Sequence, residues 1–228
     1  HFVNTHGMPN DNHYSTAYDL YLITRNAMSL PLFEDIVSVH SHTVPATNLS
    51  EARQLTSTNM LLNPNSRYYY EHASGVKTGH TDAAGYCLIS TASNEDRHMI
   101  SVVLGANSVV IEDGTTQVQS FSETIRLFDW GFENFSYQEI LSTMNLVTEV
   151  PVRLARGRSS VVLRPAESIS ALLANDVDIN SAVLTPTVYN VENNQELFAP
   201  IDQGTVLGSV SVFLDGVDYG SVNLVANT

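Results

Sequence analysis

Residues 75–86 read Gly-Val-Lys-Thr-Gly-His-Thr-Asp-Ala-Ala-Gly-Tyr, and Lys77 is the only lysine in 228 residues; nine arginines carry the remaining fixed positive charge. An ammonium is a compact, tunable point charge, which a guanidinium is not. A single ammonium set in a Gly-flanked segment beside a hydroxyl reads as a residue placed for chemistry. Gly79 lets another backbone approach closely. Two further strings invite chemistry: Ser74-Gly-Val-Lys77 spells Ser-x-x-Lys, and Ser57-Thr58-Asn59 spells Ser-x-Asn. The first overlaps the Lys-Thr-Gly tripeptide and is read as coincidence. His40-Ser-His42 could put two imidazoles on one face of a strand, but neither a cysteine pair nor a His-Glu-x-x-His helix accompanies them, so no metal site is assigned. Cys87 reads as a buried small hydrophobe, and His6 as a packed, hydrogen-bonded residue. Tyr68-Tyr69-Tyr70 reads as an aromatic edge in the core, and Asp82 as a brace for the turn after the motif.

The elements that would carry these residues follow from periodicity. Apolar residues at Ala17, Leu20, Ile23, Ala27 and Met28 predict a helix capped by Ser15 or Thr16 and stopped at Leu30-Pro31. Phe33 to Val39 predicts a second helix, with a β-leaning stretch from His40 to Val44 and a loop-rich one from Asn48 to Leu62. Gly85 to Ala92 and His98 to Gly105 are apolar runs separated by Ser-Asn-Glu-Asp-Arg, which predicts an antiparallel hairpin with Val76 to Thr81 as a neighbouring strand. Val109 to Thr116 reads as a loop. Phe121, Ile125, Phe128 and Phe132 then place a helix over Ser120 to Phe135, with Trp130 as an expected plug between domains. Beyond it, short Val/Leu/Thr runs and the Asp215-Gly216 turn predict a small all-β sandwich. The expectation is an α+β chain of two domains, 1–135 and 136–228.

Composition bounds the partners. Twenty-four acidic against ten basic side chains leave a formal charge of −14, which argues against docking on a phosphate backbone, whose affinity comes from Lys and Arg. Nucleic acid is therefore not expected. Hydrophobic residues make up 43% and charged residues 15%, as in a folded chain with a weakly charged surface. A lone cysteine allows no internal disulfide. No apolar stretch approaches the roughly 20 residues needed to span a bilayer.

The string Val76-Lys-Thr-Gly-His-Thr-Asp-Ala-Ala-Gly-Tyr-Cys-Leu88 resembles the D-alanyl-D-alanine carboxypeptidases, the low-molecular-mass penicillin-binding proteins that trim cell-wall stem peptides. His6-Gly7, His13-Tyr-Ser-Thr-Ala-Tyr-Asp-Leu20, Thr58-Asn-Met-Leu-Leu62 and Glu123-Thr-Ile-Arg-Leu-Phe-Asp-Trp-Gly-Phe132 are similar to its landmarks, in the same order. The resemblance implies the penicillin-binding-protein/β-lactamase-like fold, helices packed on an antiparallel sheet, over residues 1–135, followed by a β-sandwich domain. It implies a serine-type carboxypeptidase that removes the terminal D-Ala of peptidoglycan stem peptides through an acyl-enzyme, binds β-lactams, works outside the cytoplasmic membrane and needs no metal or organic cofactor. Lys77, Thr78 and Gly79 would bind substrate, Lys77 would serve the proton network, and the His80 backbone N–H would join the oxyanion hole.

Two departures accompany the resemblance. The nucleophilic Ser-x-x-Lys and the Ser-x-Asn of the family belong upstream of the segment resembling His6-Gly7, so the chain reads as the C-terminal part of a catalytic domain plus the β-domain, inactive by itself. Gln119 and Ser120 occupy the region where the family commonly carries an arginine for the substrate carboxylate. Relatives often continue into an amphipathic membrane helix, so a membrane anchor beyond Thr228 is a possible partner segment. The alternatives are a non-catalytic module that binds peptidoglycan or protein, and another β-lactam-interacting hydrolase of the same fold.

Overall fold

The computed structural model describes residues 1–157, 159–189 and 196–227. The chain is α+β, and it divides into two units, His1–Asn134 and Phe135–Thr228. The first contains helices α1 (Ala17–Met28) and α2 (Pro31–Val37), strands β1 (Ser41–Val44) and β2 (Arg53–Thr56), and a 3-10 turn at Met60–Leu62. Strands β3 (Ala73–Thr81), β4 (Gly85–Asn94), β5 (Arg97–Ala106), β6 (Ser108–Val110) and β7 (Thr116–Val118) follow, and helix α3 (Gln119–Asn134) ends it.

Helix α1 starts where a side chain can take an orphan amide: the Thr16 hydroxyl accepts from the Asp19 N–H at 3.1 Å. Its buried residue is Thr24, flanked by half-buried Leu20, Ala27 and Met28, whereas Ile23, expected on that face, is 50% exposed. Helix α2 begins two residues earlier than expected because Pro31 has the φ a first helical turn requires. The stretch 48–62, expected as loop, contains β2, which pairs antiparallel with β1 in the register Ser41 to Thr56, and the 3-10 turn. The structural backbone of the unit is the antiparallel sheet β3-β4-β5. Leu88 on β4 meets Leu61, Tyr68 and Phe121 in the core, and helix α3 lies against β4 and β5 with Phe128 1% exposed. The expected loop at 109–116 is instead the β6–β7 hairpin. At its tip the Asp113 carboxylate accepts from the Thr115 hydroxyl at 2.6 Å and N–H at 2.8 Å, and these bonds hold its carboxyl below the ordinary aspartate range.

The second unit contains β8 (Phe135–Leu141), β9 (Thr148–Arg153), β10 (Ser160–Pro165), β11 (Ile169–Ala174), a 3-10 turn at Ile179–Ser181, β12 (Val183–Val188), β13 (Leu197–Phe198), β14 (Val206–Leu214) and β15 (Val217–Asn227). Six strands form one sheet in the order β12-β14-β15-β10-β9-β13, and β8 pairs with β11 in a separate ribbon. Alternate residues Val150 and Val152, Val161 and Leu163, and Val210 and Val212 point into one core that also takes Leu141 of β8. This is how a sheet with one wet face buries the other. The β14–β15 hairpin turns at Asp215 and Gly216, both at positive φ (49° and 78°), as the sequence pair predicts.

Candidate substrate cleft

The Lys-Thr-Gly segment lies on β3, the end strand of its sheet, so one side of β3 has no strand partner among the described residues. Three groups hold that strand in place. The Asn59 amide donates to the Gly75 carbonyl at 2.7 Å, and the Ser90 hydroxyl of β4 donates to the same oxygen at 2.5 Å. Three residues along, the Thr58 and Thr78 hydroxyls share a hydrogen bond of 2.5 Å. Asn59 is 1% exposed and its Oδ1 accepts from the Leu61 N–H at 3.1 Å, so the side chain that braces β3 also caps the 3-10 turn seating Leu61 in the core. An asparagine ahead of an apolar run is a cap signature, and that signal could have singled out Asn59 from sequence. Thr58 carried no such signal.

A cleft of about 200 Å³ opens beside this strand, lined by Thr58, Thr78, Gly79, His80, Tyr86, Cys87, Val118, Ser120 and Phe121. Its far wall is the start of α3. The Tyr68 hydroxyl accepts from the Val118 N–H at 2.9 Å while its ring stacks on Phe121 at 5.0 Å, which fixes that start next to β3. His80 stacks on Tyr86 of β4 at 4.1 Å between ring centroids. Cys87, expected in the core, is half-buried and lines the cleft, paired with Gly79 across the β3–β4 ladder. Of the four residues proposed from sequence, Thr78, Gly79 and His80 meet in the cleft. Lys77 does not line it: adjacent residues on a strand point to opposite faces, and its exposed ammonium donates to the Thr78 carbonyl at 2.5 Å.

The literal Ser-x-x-Lys is no nucleophile–base pair. Ser74 sits at a bulge in β3 and shares a hydrogen bond of 3.0 Å with Thr91 of β4. In Ser57-x-Asn59, the serine oxygen accepts from the Asn59 N–H at 3.2 Å, a local turn bond, and the asparagine is the buried brace described above. His6 is exposed, and its Nδ1 accepts from the Met8 N–H at 3.1 Å. The turn after β3 is braced by Thr81, not Asp82: the Thr81 Oγ1 accepts from the Ala84 N–H at 3.1 Å. His40 and His42 line an apolar groove of about 540 Å³ with Ile36, Val39, Leu55 and Val76. Trp130, expected as a plug, is 56% exposed. The larger cavity of about 870 Å³ lies in the second unit, where Glu149 is engaged by the Ser160 hydroxyl; no part of the motif reaches it.

Of the three tyrosines, Tyr68 belongs to the core, Tyr69 is 46% exposed, and Tyr70 stacks on Phe128 with its hydroxyl donating to Asp129 at 3.0 Å. Burial, then that hydrogen bond, then the carboxylate's charge raise the Tyr70 phenol above its ordinary value of 10.0. A group raised in the folded state contributes stability that is intact below the unfolded value and is lost as pH rises through the folded one. The expected result is that Tyr70→Phe removes the last-ionising phenol from an absorbance titration at 295 nm. The difference in stability between wild type and variant should be constant below about pH 10 and change only above it.

The sequence profile described as D-alanyl-D-alanine carboxypeptidase matches residues 1–108, which include the whole of β3 and β4 and most of the cleft. The chain is 29% identical over 222 residues to D-alanyl-D-alanine carboxypeptidase DacA of Escherichia coli (strain K12), covering 95% of this chain and 48% of the relative. Over residues 1–108, the chain is similar to the D-alanyl-D-alanine carboxypeptidase family. A second carboxypeptidase, DacF of Bacillus subtilis (strain 168), is 24% identical over 215 residues, covering 94% of this chain and 50% of its own length. Among solved structures, penicillin binding protein 5 from Haemophilus influenzae matches with a TM-score of 0.55 at 27% identity, covering 99% of this chain and 59% of that one. A further penicillin-binding protein, PBP3 from Streptococcus pneumoniae, has the same fold at a TM-score of 0.58 and 22% identity. The chain spans about half the length of the curated carboxypeptidases it matches.

Proposed function

We propose that this chain is the substrate-side part of a serine-type D-Ala-D-Ala carboxypeptidase acting on peptidoglycan stem peptides outside the cytoplasmic membrane. The observation that carries the reading is the unpaired side of β3, with the Thr78 hydroxyl held by Thr58 at the mouth of a cleft. A peptide ending in D-Ala-D-Ala adds to that edge as an extra strand, its main chain paired with β3 and its last side chains in the cleft. Gly79 allows the close approach, and the His80 N–H serves the oxyanion hole, where donors positioned for the developing charge favour the transition state. Lys77 turns from the Thr78 carbonyl toward the serine's proton network once the rest of the site is present. The serine and its base come from outside residues 1–228. The only serine–lysine string in the chain is Ser74 to Lys77, and its serine is bonded to Thr91. The parent enzyme's serine attacks the penultimate D-Ala carbonyl, D-Ala leaves with the proton returned by the base, and water hydrolyses the ester. β-Lactams acylate the same serine.

Exposed apolar side chains on the first unit support the reading. Helix α2 has no buried residue, and Leu32, Ile36 and Leu55 are 71%, 64% and 53% exposed, as expected of a face that further polypeptide covers. The second unit is proposed as the β-domain behind the catalytic one. No helix among the described residues is long and apolar enough to cross a membrane.

Fluorescent penicillin tests the reading. The product of the whole reading frame should be labelled covalently and the 228-residue chain should not. Labelling of the short chain would place the nucleophile inside it, against the argument from Ser74. No labelling of the whole product would favour a non-catalytic module that binds cell-wall peptide through the β3 edge.

A further inference from the structure

We propose that a second cleft in the first unit binds a neutral saccharide, with a pyranose ring stacked on Tyr69 and its hydroxyls held between carboxylates and the Arg97 guanidinium. The inference goes beyond the carboxypeptidase reading and needs no nucleophile.

The cleft, of about 500 Å³, lies where residues 69–72, the β4–β5 turn and the last turns of α3 meet, and it shares no residue with the cleft beside β3. Its volume is in the range of small-ligand sites. One wall is built before any ligand arrives. Tyr70 stacks on Phe128 with ring centroids 5.7 Å apart, and His72 meets Tyr70 and Phe132 in edge-on geometry at 5.7 Å and 6.0 Å. Arg97 lies over the Phe132 ring at 5.3 Å and donates to the Phe132 carbonyl at 2.6 Å, with its side chain 16% exposed. The guanidinium and the rings are therefore already ordered, which lowers the entropy a ligand must offset.

Tyr69 is the residue that no structural role absorbs. Tyr68 and Tyr70 have their hydroxyls engaged, one by the Val118 N–H and the other on Asp129. Tyr69 is 46% exposed at the cleft, and its side chain makes no hydrogen bond or ring contact among the described residues. Its backbone is nonetheless fixed: the Tyr69 N–H donates to the Ser66 carbonyl at 3.1 Å and the Tyr70 N–H to the Leu61 carbonyl at 3.0 Å. A flat ring on a held backbone, apolar on its face and polar at its tip, suits a ligand with a C–H face and a rim of hydroxyls.

The polar lining selects against charge. Glu71, Asp129 and Glu133 bring carboxylates, which only accept, and Arg97 brings a guanidinium, which only donates. An anion would be set against three carboxylates and a cation against the guanidinium. Hydroxyls donate to the first and accept from the second without bringing charge of either sign. Asp129 already accepts from Tyr70 at 3.0 Å, and a carboxylate has further acceptor positions to offer. Cell-wall glycan and other β-linked polysaccharides share this chemistry, and the experiment separates them.

The test is an NMR titration of the isotope-labelled 228-residue chain with triacetylchitotriose, with cellotriose and with the cationic chitotriose. The expected result is saturable shifts of the Tyr69, Tyr70, Glu71 and Arg97 amides with a neutral trimer; tighter binding of the acetylated one identifies a wall-type glycan, and tighter binding of cellotriose a plain glucan. Tyr69→Ala should weaken that binding about fivefold to tenfold, the value of an aromatic contact, while amides distant from the cleft keep their positions. Tyr69→Phe, which keeps the ring, should bind within about twofold of wild type. No saturable shift with either neutral trimer, tighter binding of the cationic one, or unchanged affinity in Tyr69→Ala would overturn the inference. These outcomes leave the β3 peptide reading to the penicillin experiment.

Discussion

Asn59→Ala lowers the unfolding free energy of the first unit by about 2–4 kcal/mol, the range for breaking a buried hydrogen-bond network. The side chain is 1% exposed and has both ends engaged, the amide on the Gly75 carbonyl and the Oδ1 on the Leu61 N–H. Truncation costs unequally at the two ends. Gly75 keeps its bond from Ser90, whereas the Leu61 N–H loses its side-chain acceptor next to a leucine that is 0% exposed. Leu61 packs with Leu88, Tyr68 and Phe121, and two of those positions are coupled to the cleft: Tyr68 fixes the start of α3, and Phe121 lines the far wall. Loss of the brace therefore also loosens β3 at Thr78, beside the cleft. Trp130, the sole tryptophan, lies on α3, so its fluorescence in a urea titration reports on the first unit. The midpoint should fall by about 1–2 M for a domain of this size. Asn59→Asp, which keeps the oxygen but sets a negative charge against the Gly75 carbonyl, should cost at least as much. A change below about 0.5 kcal/mol, the level of an ordinary surface substitution, would mean that Asn59 is no brace.

Gly208→Ala is the corresponding prediction for the second unit, with a cost of about 3 kcal/mol or more. Gly208 lies on β14 at a register shift and pairs with Val188 of β12 on one side and Leu224 of β15 on the other. A Cβ there would stand 2.3 Å from the Thr187 carbonyl oxygen and 3.2 Å from the Thr187 carbonyl carbon and the Val188 Cα, all backbone atoms of the paired strand. No rotamer change can relieve that overlap; β12 must move away from β14, and the ladder between them must open. Gly216→Ala is the control. Its Cβ would meet nothing within 4 Å, and only the positive φ of 78° is strained, a cost of about 1 kcal/mol. Amide hydrogen exchange separates the two: Gly208→Ala should deprotect β12 and β14 selectively, and Gly216→Ala should not. Equal effects of the two substitutions would refute the argument from close approach.

Much of the architecture was open to reading because it is local. Alternation and turn residues placed the β4–β5 hairpin and the β14–β15 turn, and a 3.6-residue period placed α1 and α3 to within about two residues. In the candidate site, Thr78, Gly79 and His80 were named from one motif, and they share the cleft. What periodicity could not reach was non-local. The β1–β2 pair and the β8–β11 ribbon are weak as isolated strands and exist because distant segments pair. The parallel β13–β9 contact joins residues more than forty apart. Exposure was misjudged at Ile23 and Cys87, since which face of an element is covered depends on neighbours that the element's own sequence does not specify.

Lys77 marks the same division. By itself the sequence determined that one ammonium, one hydroxyl and one glycine stand in a row on a strand, because three adjacent residue types and their flanking turn residues are enough to say so. Only the tertiary structure decided which of them face the cleft. A strand turns successive side chains to opposite sides, so Thr78 is set against Thr58, twenty residues earlier, and across from Ser120, forty-two residues later, while Lys77 lies back on its own backbone. Those meetings follow from how β3, the 3-10 turn and α3 pack around Leu61 and Tyr68, a long-range arrangement of apolar side chains that no local pattern encodes.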